Sequence, residues 1–260
     1  MNGSKEIRKE FDRAVEEVLF SERVRSVGDL VAAAGGAFLG KPYRTGILNK
    51  RGSERLIVEL AAFDCVTFVE SAVALALMMF SGRSDFGCFA SELQRVRYRG
   101  GRIDGYASRL HYFTDWIADN ATMKILRDLT RSLGGTPYSK KIRAMSAHRN
   151  RHPAMKDEAT YRRIREAERR LSIRQGYRLE KNRLREAEEH IGEGDIVAIT
   201  SGEEDMDVCH VGIAVRRSGR IRLLHASSAA GRIVVSDETL YAYLRKKSVR
   251  TGVLIARIEG

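Results

Sequence analysis

The chain has 260 residues, 43% hydrophobic and 31% charged, with three prolines, three cysteines and a formal net charge of +12. That length buries a substantial core, in one elaborated domain or two small ones, and the composition excludes a disordered, collagenous or disulfide-stapled protein. No apolar run reaches the roughly 18 residues that a membrane-spanning helix needs.

In chain order, residues 5–22 read as an amphipathic helix with Phe11, Val15, Val18 and Leu19 on one side. Residues 27–38 form a second helical stretch, interrupted by Gly35-Gly36, and residues 40–52 a loop. Leu56-Ile57-Val58-Glu59-Leu60 then leads to Asp64, a good N-cap, and Cys65. From Val66 to Phe80 only Thr67, Glu70 and Ser71 interrupt an apolar run, which predicts a helix buried on most sides. In its first turn Cys65 meets backbone N–H groups and the helix dipole, a setting expected to lower the thiol's pKa and make it nucleophilic. A buried structural cysteine is the commoner fate of a lone Cys on an apolar helix, and this segment alone leaves both readings open.

Residues 88–98 read as a helix ended by Arg99-Gly100-Gly101. The aromatic-rich stretch 105–120 holds Tyr106, His111, Tyr112, Phe113 and the single tryptophan, Trp116. Such density usually marks core, but Arg109 is suited to grip a carboxylate bidentately. Residues 122–133 read as helical, 134–153 as irregular and 157–175 as a long helix. From Gly194 onward the period switches to strands at 195–200, 208–215, 221–226, 233–236 and 252–258, with a helix at 238–245. In the first long strand His210, Gly212 and Ala214 share one face, and Val211, Ile213 and Val215 the other. The turn Arg217-Ser218-Gly219-Arg220 makes a hairpin of the second and third strands, which brings His225 near His210. Nucleophile, base and an orienting ring are the parts of covalent acyl chemistry, although a lone strand histidine is more often structural.

Nearly all of the net charge is local: residues 140–185 carry 16 Lys/Arg against 5 Asp/Glu. Nucleic-acid binding is the sharp reading. Against it, Arg and Glu alternate at helical spacing as on a solvated face, and no aromatic interleaving accompanies them, so no nucleic acid is expected. An anionic cell-wall polymer would feel the same attraction. Cys65, Cys88 and Cys209 build no disulfide framework, and no Cys-x-x-Cys or His-x-x-x-His spacing suggests zinc, so neither metal nor cofactor is expected.

Several runs together resemble a known family. They are Gly40-Lys41-Pro42-Tyr43, Asp64-Cys65-Val66-Thr67-Phe68-Val69-Glu70, Ser108-Arg109-Leu110-His111-Tyr112-Phe113-Thr114-Asp115-Trp116, Gly194-Asp195-Ile196-Val197, His210-Val211-Gly212-Ile213 and Leu224-His225-Ala226. In that order they resemble the NlpC-type papain-like cell-wall peptidase superfamily, and within it the N-acetylmuramoyl-L-alanine amidase-like branch, over most of the chain from about Gly28 onward. The resemblance implies a cysteine hydrolase of peptidoglycan with Cys65 as nucleophile, His210 as general base and His225 as the residue that orients it. It also sets Tyr43, from the Pro-Tyr pair, beside the site. Two departures touch the substrate subsites: the usual Ser-Gly after Asp-Cys is Val66-Thr67, and the segment from Tyr43 to Cys65 is long.

The expectation is therefore an α+β, papain-like (NlpC-type) fold, with a helical N-terminal half packed on a small antiparallel curved sheet. It is a single domain with a helical part at 1–134, a basic helical insertion at 135–190 and a sheet part at 191–260. Cys65, His210 and His225 are the catalytic candidates, and Tyr43, Asp64, Arg109 and His111 the substrate-contacting ones. The expected substrate is peptidoglycan or a muropeptide. Acyl transfer or thioester cleavage on the same fold, or a non-catalytic basic module, are the rival readings. The resemblance implies work outside the membrane, whereas the polar N-terminus lacks the apolar core of a signal peptide and reads as cytoplasmic. Oligomeric state leaves no mark in the pattern.

Overall fold

A computed structural model describes residues 2–21, 24–49 and 52–259. The predicted helix end at Glu22 and the loop positions Lys50 and Arg51 lie outside the described residues. The helical half comprises α1 (Asn2–Leu19), α2 (Val27–Gly36), α3 (Cys65–Phe80), α4 (Phe86–Arg97) and α5 (Phe113–Thr122). Then follow β1 (Leu126–Asp128), β2 (Thr136–Tyr138), α6 (Ala144–Ala147), α7 (Glu158–Ile173), β3 (Gly176–Glu180) and α8 (Leu184–Ala187). The remainder is β4 (Ile196–Ser201), β5 (Val208–Arg217), β6 (Arg220–Ser227), β7 (Arg232–Thr239), α9 (Leu240–Arg245) and β8 (Arg250–Ile258).

Local chemistry sets the ends of these elements. Asp64, Asp85 and Asp157 each accept a backbone N–H as N-caps of α3, α4 and α7. The β5–β6 hairpin closes through Ser218 and Gly219 at φ 48° and 75°, the left-handed pair that matches the twist of antiparallel strands. Gly194 (φ 78°) meets the backbone of α2 so closely that a Cβ there would lie 1.9 Å from the Gly28 carbonyl oxygen. Glycine is thus required where α2 docks onto the lead into β4.

The strands make one antiparallel sheet in the order β2-β3-β8-β4-β5-β6-β7, with β1 also on β8. Helices cover both faces. Ile196, Ala198, Val211, Ile213, Leu224 and Ala226 share one core with α1 to α5. Val197, Ile199, Ala214, Leu223 and Ile255 share another with α8 and α9. The sheet is therefore α+β and antiparallel as expected, with three more strands than the sequence pattern suggests.

Two expectations are corrected. Residues 122–133 are not a helix: Lys124 turns left-handed at φ 58°, and Leu126 pairs with Ile258 on β8. The edge of β8 offers ladder partners that no local propensity records. Residues 135–190 are not a purely helical insertion either, since β2 and β3 extend the sheet and Leu179 is buried opposite Val253. Strands of three and five residues among arginines carry too little alternation to be read. The stretch between them has its own small core of Tyr112, Ile142, Met145, Met155, Ile164 and Leu171. On α7, Arg162, Arg163, Arg169 and Arg170 stay exposed and each lies within 4 Å of Glu158, Asp104 or Glu166.

Candidate active site

Cys65 is the first residue of α3. Its position is fixed by a reciprocal cap: Asp64 Oδ1 accepts the Thr67 N–H at 2.8 Å, and Thr67 Oγ1 accepts the Asp64 N–H at 3.0 Å. Thr67, one of the departures from the family pattern, thus completes the cap. The helix start abuts β5. The β5–β6 ladder runs from Arg217↔Arg220 to Ile213↔Leu224. Beyond its end Val211 joins the core against which Cys65 packs, and the backbone N–H groups of Val211, Cys65 and Val66 favour the thiolate.

His210 precedes Val211 on β5. Its Nε2 lies 2.7 Å from Nδ1 of His225 on β6, with the rings edge to face at 4.8 Å. His225 is 3% exposed. Gly212 makes this possible, because a Cβ there would sit 3.0 Å from the His225 Cβ and 2.8 Å from Leu223. The space that the sequence reading left open beside His210 is thus filled by the second histidine. Among the described residues nothing else bonds His210, so its Nδ1 is free to take a proton.

Burial governs the protonation of this centre. Desolvation, then the Asp64 charge, push the Cys65 thiol up to about 12, against the pull of the three backbone N–H groups. Burial, then the nearby His225, Arg250 and Lys247, hold His210 down to about 3. Burial and Arg250 hold His225 down to about 4, opposed by Glu238. Burial thus acts against the lowered thiol pKa expected of a helix start. Both rings are neutral and the proton stays on sulfur. The 2.7 Å contact holds one proton between the rings, and in the tautomer that places it on His210 Nε2 the Nδ1 of His210 can act as a base.

Tyr43 adjoins the cysteine. It bridges Phe63, and its N–H donates to the Gly231 carbonyl at 2.8 Å. Burial and the fields of Cys65 and Asp64 raise its hydroxyl above the usual tyrosine value. Arg109 and His111 are placed differently from expectation. Arg109 is 6% exposed, donates to the Leu48 carbonyl at 3.1 Å and faces Glu54 at 3.6 Å. His111 lies 2.9 Å from the Tyr106 carbonyl, and burial and Arg109 push it down to about 3. Their hydrogen-bonding capacity is turned inward, and neither is presented as a substrate clamp.

Sequence reasoning missed Tyr243 and Arg250. Tyr243 meets His225 edge-on at 5.3 Å and lies 6.4 Å from His210. The Arg250 guanidinium stacks on Tyr243 at 3.8 Å. Only the folding of α9 and β8 against the histidine strands joins them to the centre, and no motif carries that signal.

A family model described as AmiA-like, N-acetylmuramoyl-L-alanine amidase-like, matches residues 33–253. The chain belongs to this family. An N-acetylmuramoyl-L-alanine amidase from Bacteroides uniformis ATCC 8492 is 32% identical to this amidase-like chain, covering 90% of it and 99% of its own length with a TM-score of 0.85. A Bacteroides fragilis protein provisionally named a xylanase is 35% identical over 86% of this chain and 99% of its own, with a TM-score of 0.81. Protein LPG0564 from Legionella pneumophila str. Philadelphia 1 is 19% identical, covers 99% and 97% of the two chains at a TM-score of 0.72, and shares the fold alone. No curated protein matches.

Proposed function

We propose that this amidase-like protein is a papain-like, NlpC-type cysteine hydrolase that cleaves the amide joining N-acetylmuramic acid to L-alanine in peptidoglycan. One observation carries the reading: a thiol at a helix start abuts Val211, the neighbour in sequence of a histidine bonded at 2.7 Å to a second histidine. His210 Nδ1 takes the thiol proton as sulfur attacks the amide carbonyl. The Cys65 N–H supports the oxyanion. The C–N bond then breaks, the amine leaves with the proton from His210, and water activated by the same ring cleaves the thioester. His225 fixes the His210 ring and accepts from its Nε2–H, and Tyr43 stands beside Cys65.

Of the activities named for the relatives, amide cleavage fits this centre better than glycoside cleavage, which commonly uses a pair of carboxyl groups flanking the bond. The carboxylate beside Cys65 is Asp64, already engaged as a cap. Incubating purified peptidoglycan with the protein should release stem peptides with a free L-alanine amino terminus. Cys65→Ala and His210→Ala should each lower that rate on the order of 10³-fold or more. Release of xylose oligomers from xylan without any new amino termini from peptidoglycan would sink the proposal.

A further inference from the structure

Arg250 opens β8, and its backbone N–H closes a turn onto the Lys247 carbonyl at 3.3 Å. Its guanidinium lies 3.8 Å from the centroid of Tyr243 and donates to the Tyr243 carbonyl. Stacking on the ring fixes the plane of the cation. The same ring lies 5.3 Å from His225 and 6.4 Å from His210, so a half-buried positive charge is held one ring away from the histidine pair.

Four other shielded arginines rest against carboxylates, Arg97 on Glu70, Arg99 on Asp115, Arg109 on Glu54 and Arg257 on Asp195, while the guanidiniums of Arg216 and Arg222 are each spent on two or more backbone carbonyls. Among the described residues Arg250 forms no ion pair. Glu238, whose field reaches it, is engaged by Lys246 at 2.7 Å. Its remaining N–H groups are therefore available to an anion, and a guanidinium fork suits a carboxylate. Lys247, exposed on the same turn, adds a second cation.

We infer that Arg250, stacked on Tyr243 and seconded by Lys247, is the docking point for a carboxylate of the substrate's stem peptide, anchoring the chain so that its amide lies at Cys65. This rests on the hydrolase reading above, and gives Arg250 the role that the sequence suggested for Arg109. It also couples binding to chemistry. The positive field of Arg250 and Lys247 now opposes protonation of His210, and a docked carboxylate cancels that field as the ring takes the thiol proton.

The test is equilibrium binding of the full-length Cys65→Ala protein to N-acetylmuramoyl-L-alanyl-D-glutamic acid and to its diamide, by calorimetry. The acid should bind about 10- to 100-fold tighter. Arg250→Met in the same background should bring the ratio close to one, and Arg250→Lys should keep part of it, which separates lost charge from a disturbed fold. Equal affinities, no binding of either ligand, or a ratio that survives Arg250→Met would overturn the inference. Failure of the wild-type protein to cleave a muropeptide that it binds in this Arg250-dependent way would refute the hydrolase reading and leave the subsite standing.

Discussion

At Cys65 a helix start and a buried setting act in opposite directions. Three N–H groups favour the thiolate, yet desolvation and Asp64 outweigh them and raise the thiol to about 12. Alkylation by iodoacetamide at pH 7 should therefore be slower at Cys65 than at a free thiol of pKa about 8.5, and should climb steadily above pH 9. Peptide mass spectrometry across pH measures this, and rapid modification below pH 7 would show a preformed thiolate. The candidate residues of this centre were legible because their signals are local. An Asp-Cys pair heads an apolar run, and strand alternation and a tight turn bring His210 and His225 together. Arg109 was misread because its partner, Glu54, and its burial come from the fold and not from its neighbours in the chain. Tyr243 and Arg250 were illegible for the same reason.

The element headed by Cys65 is α3, buried from Thr67 to Met78. Its one acidic residue, Glu70, meets Arg97 of α4 at 2.7 Å, both side chains 2% exposed, while Arg97 also donates to the Ile57 carbonyl at 2.6 Å. Burial raises the Glu70 carboxyl against the pull of Arg97. Breaking such a pair leaves a charge stranded in the core, so Arg97→Met should cost about 3–5 kcal/mol. Adding Glu70→Met should recover most of that loss. Urea unfolding of the two variants checks both, and a single variant as stable as the parent would contradict the account. Glu70 stood out in the sequence as an interruption of an apolar helix, but its partner did not. The β1 segment shows the converse, a stretch with helical local preference drawn into the sheet by β8.

Across the whole molecule, burial lowers four histidines among the described residues below the unperturbed 6.5: His111 to about 3, His210 to about 3, His225 to about 4, and the half-buried His152 as well. Between those values the unfolded chain binds more protons than the folded one, so stability rises with pH. It should be complete above about pH 6.5 and fall progressively toward pH 3, with His111→Gln flattening part of the slope. Melting temperatures across that range measure it, and a flat profile from pH 7 to pH 4 would contradict three neutral buried rings. Within the basic stretch, the boldest feature of the composition, Arg162, Arg163, Arg169 and Arg170 lie beside Glu158, Asp104 or Glu166 over a small core, and the remaining cations outnumber the carboxylates there. Within that core the Tyr112 hydroxyl donates to Glu168 at 2.6 Å. The α+β class was legible from the switch of period near Gly194. The breadth of the sheet was not, because β1, β2 and β3 are short strands recruited by pairing.

The central claim is that Cys65 carries the acyl group during turnover. Intact-mass analysis of protein quenched in acid during muropeptide digestion, followed by peptide mapping, tests it directly. The account predicts an N-acetylmuramoyl thioester on the peptide that contains Cys65, and neither adduct nor turnover in Cys65→Ala. Undiminished release of L-alanine amino termini by Cys65→Ala would contradict it.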